Sequence, residues 1–124
     1  MDVPQGMTAL HNHADFELML RPRRPTEDGF FDKYDPYVVV CFSAKWCGPC
    51  RRIDKALLVK SAPGISWYHC DVDANEITLG YCGGRSIPAF VLVRDGVFVG
   101  RLEGPRDAQH VLEWIKEYGA PVLG

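Results

Sequence analysis

The chain carries almost no excess charge: its 124 residues hold 14 basic and 16 acidic side chains, a formal net charge of −2. So even a balance excludes the strongly basic surface that nucleic acid or an anionic membrane would require, and neither is expected as a partner. The one basic cluster, Arg21, Arg23 and Arg24, is short, interrupted by Pro22 and Pro25, and reads as a solvated loop. No run approaches the roughly 20 apolar residues of a membrane span. The amino-terminal segment opens Met-Asp-Val-Pro and continues with acids and histidines, so it has the character of neither a secretory signal nor a transit peptide. The chain is expected to be soluble and cytoplasmic. Repeats and low-complexity tracts are also absent. The cysteines number five, an odd count that rules out a complete set of intrachain disulfides. Only Cys47 and Cys50 form a CxxC pair. Cys70 and Cys82, 12 positions apart, do not supply the second pair a zinc site needs, and no metal is expected.

What the chain does have is core material, with 47% of its residues hydrophobic. Its length suits a single domain over residues 1–124, since domains commonly run about 100–150 residues. Residues 1–6 read as a loose tail, and Met7 to Leu10 as a short edge strand. Asn12 is a plausible N-cap for a helix bearing Phe16, Leu18, Met19 and Leu20 that Pro22 ends. Residues 21–36, with Pro22, Pro25, Gly29 and Pro36, read as an extended irregular loop.

Tyr37 to Phe42 is a continuous β-favouring run of the kind covered on both faces. A helix from Arg51 to about Lys60, a strand from Ile65 to Val72 and a helix around Ala74 to Tyr81 follow. Phe90–Arg94 and Val97–Leu102 flank Asp95-Gly96, a two-residue hairpin turn, and Val111 to Ile115 mark a final amphipathic helix. Alternating strands and helices followed by a hairpin predict an α/β domain whose central mixed β-sheet is flanked by helices on both faces.

The position of the CxxC pair, between a buried strand and a helix start, carries the chemistry. Free backbone N–H groups and the helix dipole favour an anion there. Such sites lower a cysteine pKa into a range of about 3.5–7.5, and the thiolate is the attacking species in disulfide exchange. Cys47, expected to be exposed at the helix start, is the nucleophile in this reading, and Cys50, one turn further in, resolves the mixed disulfide. Pro49 suits an early helix position, and Trp46 offers an apolar surface to a docked substrate.

The stretch Phe42-Ser43-Ala44-Lys45-Trp46-Cys47-Gly48-Pro49-Cys50 closely resembles the active-site segment of the thioredoxin family. Asp71-Val72-Asp73, Ile87-Pro88 and Gly104 match the family too, and the resemblance spans Val38 to Tyr118, roughly two-thirds of the chain. It implies the thioredoxin fold and reduction of protein disulfides, with Cys47 and Cys50 catalytic and their reversible disulfide in place of any cofactor. A thioredoxin reductase or equivalent would recharge the pair. It also implies substrate binding by Trp46, Gly48, Pro49, Ile87, Pro88 and Gly104, with Pro88 after a cis bond facing the cysteines. A monomer is expected. A second reading treats the chain as a binding module or assembly subunit that uses the same fold with little redox turnover.

Three departures from the family pattern stand out. A buried aspartate usually lies six residues before the first cysteine, and here that position is Cys41; its usual lysine neighbour aligns with His69. Cys50 would then lack its customary proton acceptor and resolve more slowly. Cys41 and His69 are the candidate relay in its place, though Cys41 also reads as a small core residue and His69 as half-exposed packing. The kinking proline of the following helix is replaced by Lys55, which predicts a straighter helix. The 21–36 loop is longer than in compact members and reads either as a surface insertion or as a partner-binding element using Phe30, Phe31 and Tyr34. Cys70 reads as core, and Cys82 as a regulatory thiol or an unreactive helix-end cysteine.

Overall fold

In the computed structural model, residues 1–20 and 36–124 are described; the 21–36 loop expected from the sequence, with Phe30, Phe31 and Tyr34, lies outside them except for Pro36. Ten elements follow in order: β1 (Thr8–Ala9), α1 (His13–Met19), β2 (Tyr37–Ser43), α2 (Gly48–Arg51), α3 (Lys55–Ser61), β3 (Ser66–Asp71), α4 (Thr78–Tyr81), β4 (Ala89–Arg94), β5 (Val97–Glu103) and α5 (Ala108–Glu117). The strands form one sheet in the order β1-β3-β2-β4-β5. β1, β3 and β2 run parallel, while β4 is antiparallel to both β2 and β5. The mixed α/β architecture inferred from element order is present.

Strand β2 explains why the sheet is covered on both sides. Its alternate side chains divide between two cores, as the two-residue period of a strand requires. Val39 and Cys41 join Ile53, Leu58, Phe90, Val111 and Ile115 beneath α3 and α5. Val40 and Phe42 join Phe16, Cys70, Cys82 and Val91 beneath α1 and α4. The β4–β5 hairpin turns through Asp95 (φ 51°) and Gly96 (φ 79°), the paired positive φ angles of a two-residue hairpin.

Local capping set several boundaries. Asn12 caps α1 by accepting from the Asp15 N–H at 2.9 Å. The single straight helix expected after the cysteines is instead two, and the absence of proline did not prevent the break. Asp54 adopts an extended conformation (ψ 92°) and accepts from the Leu57 N–H at 3.0 Å, starting α3 afresh. Lys55 folds back so that its Nζ donates to the Cys50 carbonyl at 2.7 Å, a second donor on a carbonyl that the Ile53 N–H also reaches at 3.3 Å. The helix expected over 74–81 shrinks to Thr78–Tyr81 because Asn75 competes for the backbone. Its buried side-chain oxygen accepts from the N–H groups of Ile77 (3.3 Å) and Thr78 (3.4 Å), and its amide donates to Thr78 Oγ1 at 2.8 Å.

Candidate active site

Strand β2 ends at Ser43, and the chain turns through Ala44–Trp46 into α2, whose N-cap is Cys47. Cys47 is joined to Cys50 by a disulfide with Cα atoms 5.4 Å apart. The Cys50 N–H donates to Cys47 Sγ at 3.2 Å, so the first sulfur occupies the place a capping oxygen takes at other helix starts. Cys47 was expected to be exposed, but in the disulfide only 3% of it is accessible, and Cys50 shows 1%. Both cysteines lie in a small apolar cluster with Ala44, flanked by Val72 and Ile87.

The other residues expected to bind substrate take varied positions. Trp46 is 67% exposed and donates from Nε1 to Asp73 Oδ2 at 2.9 Å. Gly48 and Pro49 are exposed, Ile87 is half-buried against the cysteine cluster, and Pro88 is buried. The Ile87–Pro88 bond is cis. Gly104 (φ +63°) donates its N–H to the Pro88 carbonyl at 2.9 Å, and a Cβ there would point into open space. That φ favours glycine, and the missing side chain keeps the surface beside Pro88 flat.

Cys41 and His69 are direct neighbours across the parallel β2–β3 ladder, on the face covered by α3. His69 is not half-exposed: 4% of it is accessible, because β1 and the amino-terminal segment cover it. Burial, followed by the Lys55 charge, pushes the His69 pKa below the ordinary 6.5. Burial pushes the Cys41 thiol from 9.0 up to about 12, opposed by Lys55. Cys70 and Cys82 are buried as well, and burial raises them to about 12 and about 11. Neither forms thiolate near neutral pH, which leaves Cys82 at the end of α4 unreactive. Among the described residues no cluster of histidine, cysteine and carboxylate side chains could hold a metal ion. No helix among them is long and apolar enough to cross a membrane.

The lowered His69 pKa has a signed consequence. The unfolded chain protonates at about pH 6.5 while the folded one does not, so folding stability is intact above that pH and falls as pH drops below it. The slope can reach about 1.4 kcal/mol per pH unit. Urea unfolding at pH 7.5 and 5.5 should show this loss in the wild type and a shallower one in His69→Leu; equal losses would mean that His69 is not its source.

Two positioning residues escaped sequence reasoning. Asp73 sits in a recognised motif, but nothing in the motif tied it to the Trp46 indole. Glu103 accepts from the backbone N–H groups of both Arg85 and Ser86 and pairs with Arg101 Nε at 3.5 Å; the Arg85 and Ser86 bonds hold its carboxyl below the usual range. Arg101 Nη1 in turn donates to the Cys82 carbonyl at 2.7 Å. The β5 strand thereby pins the segment leading to Ile87 and Pro88. Glu103→Ala is expected to raise KM for a protein disulfide roughly fivefold with a smaller change in kcat, whereas Glu103→Gln keeps an acceptor and stays nearer wild type. An unchanged KM in the alanine variant would remove Glu103 from substrate positioning.

A disulfide closing one helical turn, with the Cys50 N–H on the Cys47 sulfur at the start of α2, is an arrangement suited to thiol–disulfide exchange. This chemistry defines a thiol–disulfide oxidoreductase. A family model described as Thioredoxin matches residues 28–117. The thioredoxin of Chlamydia muridarum (strain MoPn / Nigg) is 31% identical over 96 residues, covering 75% of this chain and 94% of that protein. Thioredoxin-3, mitochondrial, of Saccharomyces cerevisiae is 34% identical over 74 residues, a span of 58% of each chain. The X-ray structure of Fasciola hepatica thioredoxin superposes with a TM-score of 0.69 at 31% identity, covering 90% of this chain and 98% of the other. The chain belongs to the thioredoxin family and is a protein-disulfide reductase of the thioredoxin kind.

Proposed function

We propose that Cys47 attacks the disulfide of a protein substrate and that Cys50 resolves the resulting mixed disulfide, releasing reduced product. The observation that carries this assignment is the Cys50 N–H donated to Cys47 Sγ at the start of α2, which favours thiolate at the first sulfur and not the second. The substrate docks across Trp46, Gly48, Pro49, Ile87, Pro88 and Gly104. Among the described residues the Ile87 backbone makes no hydrogen bond, so it is free to pair with an extended substrate chain. Trp46, held by Asp73, gives the incoming chain an apolar surface.

Of the two relay candidates, His69 fits the role and Cys41 does not. A neutral imidazole can accept the Cys50 proton at pH 7, while a thiol pushed up to about 12 is never an ionised base in that range. His69 and Cys50 line one groove together with Ser43 and Lys55.

The reading extends to the cellular setting. The chain acts as a monomeric single domain over residues 1–124 in the cytoplasm, needs no cofactor beyond its own disulfide, and is recharged by a thioredoxin reductase or equivalent. It would thereby carry electrons to protein disulfides and sustain thiol redox balance. The supporting facts are the family, the Cys47–Cys50 disulfide and the lack of any membrane-crossing helix among the described residues. The test is reduction of a protein disulfide driven first by a dithiol, then by NADPH with a thioredoxin reductase. Turnover in both arms is expected. Turnover with the dithiol alone would point to another reductant, and none in either arm would favour a scaffold role.

A further inference from the structure

Where the family keeps a buried anion behind its resolving cysteine, this chain keeps a cation. Lys55 begins α3, and its Nζ is anchored 2.7 Å from the carbonyl oxygen of Cys50 and 3.5 Å from that of Ile53. The aspartate position on β2 is occupied by Cys41, which is buried and un-ionised. Asp54, the carboxylate nearest to Lys55 in sequence, is engaged as the cap of α3 on the Leu57 N–H. Neither ion pair found among the described residues includes Lys55. Its charge still reaches inward, since it acts on both Cys41 and His69.

We propose that Lys55 prepares Cys50 for resolution: its ammonium, fixed on the Cys50 carbonyl, holds positive charge beside that residue's thiol and favours the thiolate that attacks Cys47. This inference rests on the assignment of Cys50 as the resolving thiol. The step balances without an outside reagent. Cys50 loses its proton to the His69 imidazole or to water in the groove, and its sulfur attacks Cys47 Sγ. The Cys47–Cys50 bond forms as the Cys47–substrate bond breaks, and the substrate leaves as a thiolate that then takes up a proton. The groove around this step is lined by Asp2, Ser43, Lys45, Arg51, Lys55 and His69; Cys41 on β2 and Asp71 on β3 flank His69. Arg51 is turned aside, donating from Nη2 to the Lys45 carbonyl at 2.7 Å. Lys55 is therefore the cation tied directly to Cys50. It is a positioning and electrostatic residue, and it does not touch substrate.

The test titrates Cys50 by its rate of alkylation with iodoacetamide across pH in a Cys47→Ser background, with peptide mapping to separate it from Cys41, Cys70 and Cys82. Adding Lys55→Gln should raise the Cys50 midpoint by about one pH unit, and Lys55→Arg should leave it within a few tenths. With Cys47 restored, thionitrobenzoate mixed disulfide formed on it should be resolved about threefold more slowly at pH 7 in Lys55→Gln, since a roughly tenfold loss of thiolate is partly offset by its greater nucleophilicity. A purely structural role at the α2–α3 break would lower the melting temperature without moving the midpoint. Lys55→Met substitutes if the glutamine variant does not fold. A midpoint unmoved in a folded neutral variant overturns the proposal. The alkylation arm needs no substrate turnover, so it succeeds or fails separately from the reductase reading.

Discussion

Cys47→Ser is expected to abolish protein-disulfide reduction, with turnover falling by at least about a thousandfold, because no other described cysteine can supply an accessible thiolate. Cys41, Cys70 and Cys82 are all buried, and burial holds each of their thiols at about 11 or above. Cys50 is the remaining thiol at the site, but its own N–H is donated to the sulfur of Cys47, so the start of α2 favours thiolate at Cys47. Cys50→Ser separates the two roles. It should still attack a substrate disulfide once, through Cys47, and then accumulate a covalent adduct that a mass spectrum reads as protein plus substrate. Fold loss is not a concern in either variant, since both side chains lie in a small cluster at the end of the sheet and outside the two main cores. Circular dichroism matching the wild type would confirm this. Substantial turnover in Cys47→Ser, or a substrate adduct that accumulates on Cys50 in Cys47→Ser and not on Cys47 in Cys50→Ser, would overturn the assignment.

The low exposure of Cys47 marks the limit of what was legible at the site from the sequence. Trp46-Cys47-Gly48-Pro49-Cys50 after a β-branched run located the chemistry, because strand, turn and helix start each have a local signature. Burial of Cys47 had none. It depends on Val72 and Ile87, which arrive from beyond β3 and from the segment before β4, and only tertiary packing brings them to the sulfurs. The hairpin was readable for the opposite reason, since Asp95-Gly96 specifies its turn within two residues.

The helix after the cysteines shows where a family pattern misled. Absence of proline argued for a straight helix, yet the chain breaks at the same place by other means: a capping carboxylate from Asp54 and an ammonium from Lys55. Proline removes a donor, whereas Asp54 satisfies an N–H exposed at the new helix start and Lys55 adds a donor to the last carbonyls of α2, and either route ends a helix. The same substitution brings a charge to Cys50 that proline could not. Glu103 was illegible for a related reason. A glutamate near the end of an exposed strand carries no sequence signal of the two N–H groups it accepts from 17 and 18 residues away.

Restoring the family's buried aspartate should cost this protein stability, in a way that depends on pH. Cys41 is 1% exposed, and its surroundings push a thiol from 9.0 up to about 12 even with Lys55 nearby, a shift of about 3 units. A carboxyl in Cys41→Asp meets the same desolvation, and its pKa rises. The sign then follows: the unfolded chain gives up the proton near pH 3.9 while the folded one keeps it, so stability is retained below that pH and lost as pH rises through it. A comparable shift corresponds to a loss on the order of 4 kcal/mol by neutral pH, enough to unfold a marginal domain. His69→Lys alone should show the mirror image, a buried ammonium that destabilises as pH falls. Cys41 and His69 are register partners, so the double variant places the two charges side by side and should recover at least about 1 kcal/mol relative to the sum of the single effects. Urea unfolding of the four proteins at pH 4 and pH 8 measures this. If Cys41→Asp is equally stable at both pH values, the site is wetter than its burial implies. If the double variant is merely additive, the two positions are not electrostatic partners, and their joint departure from the family pattern needs a different physical cause.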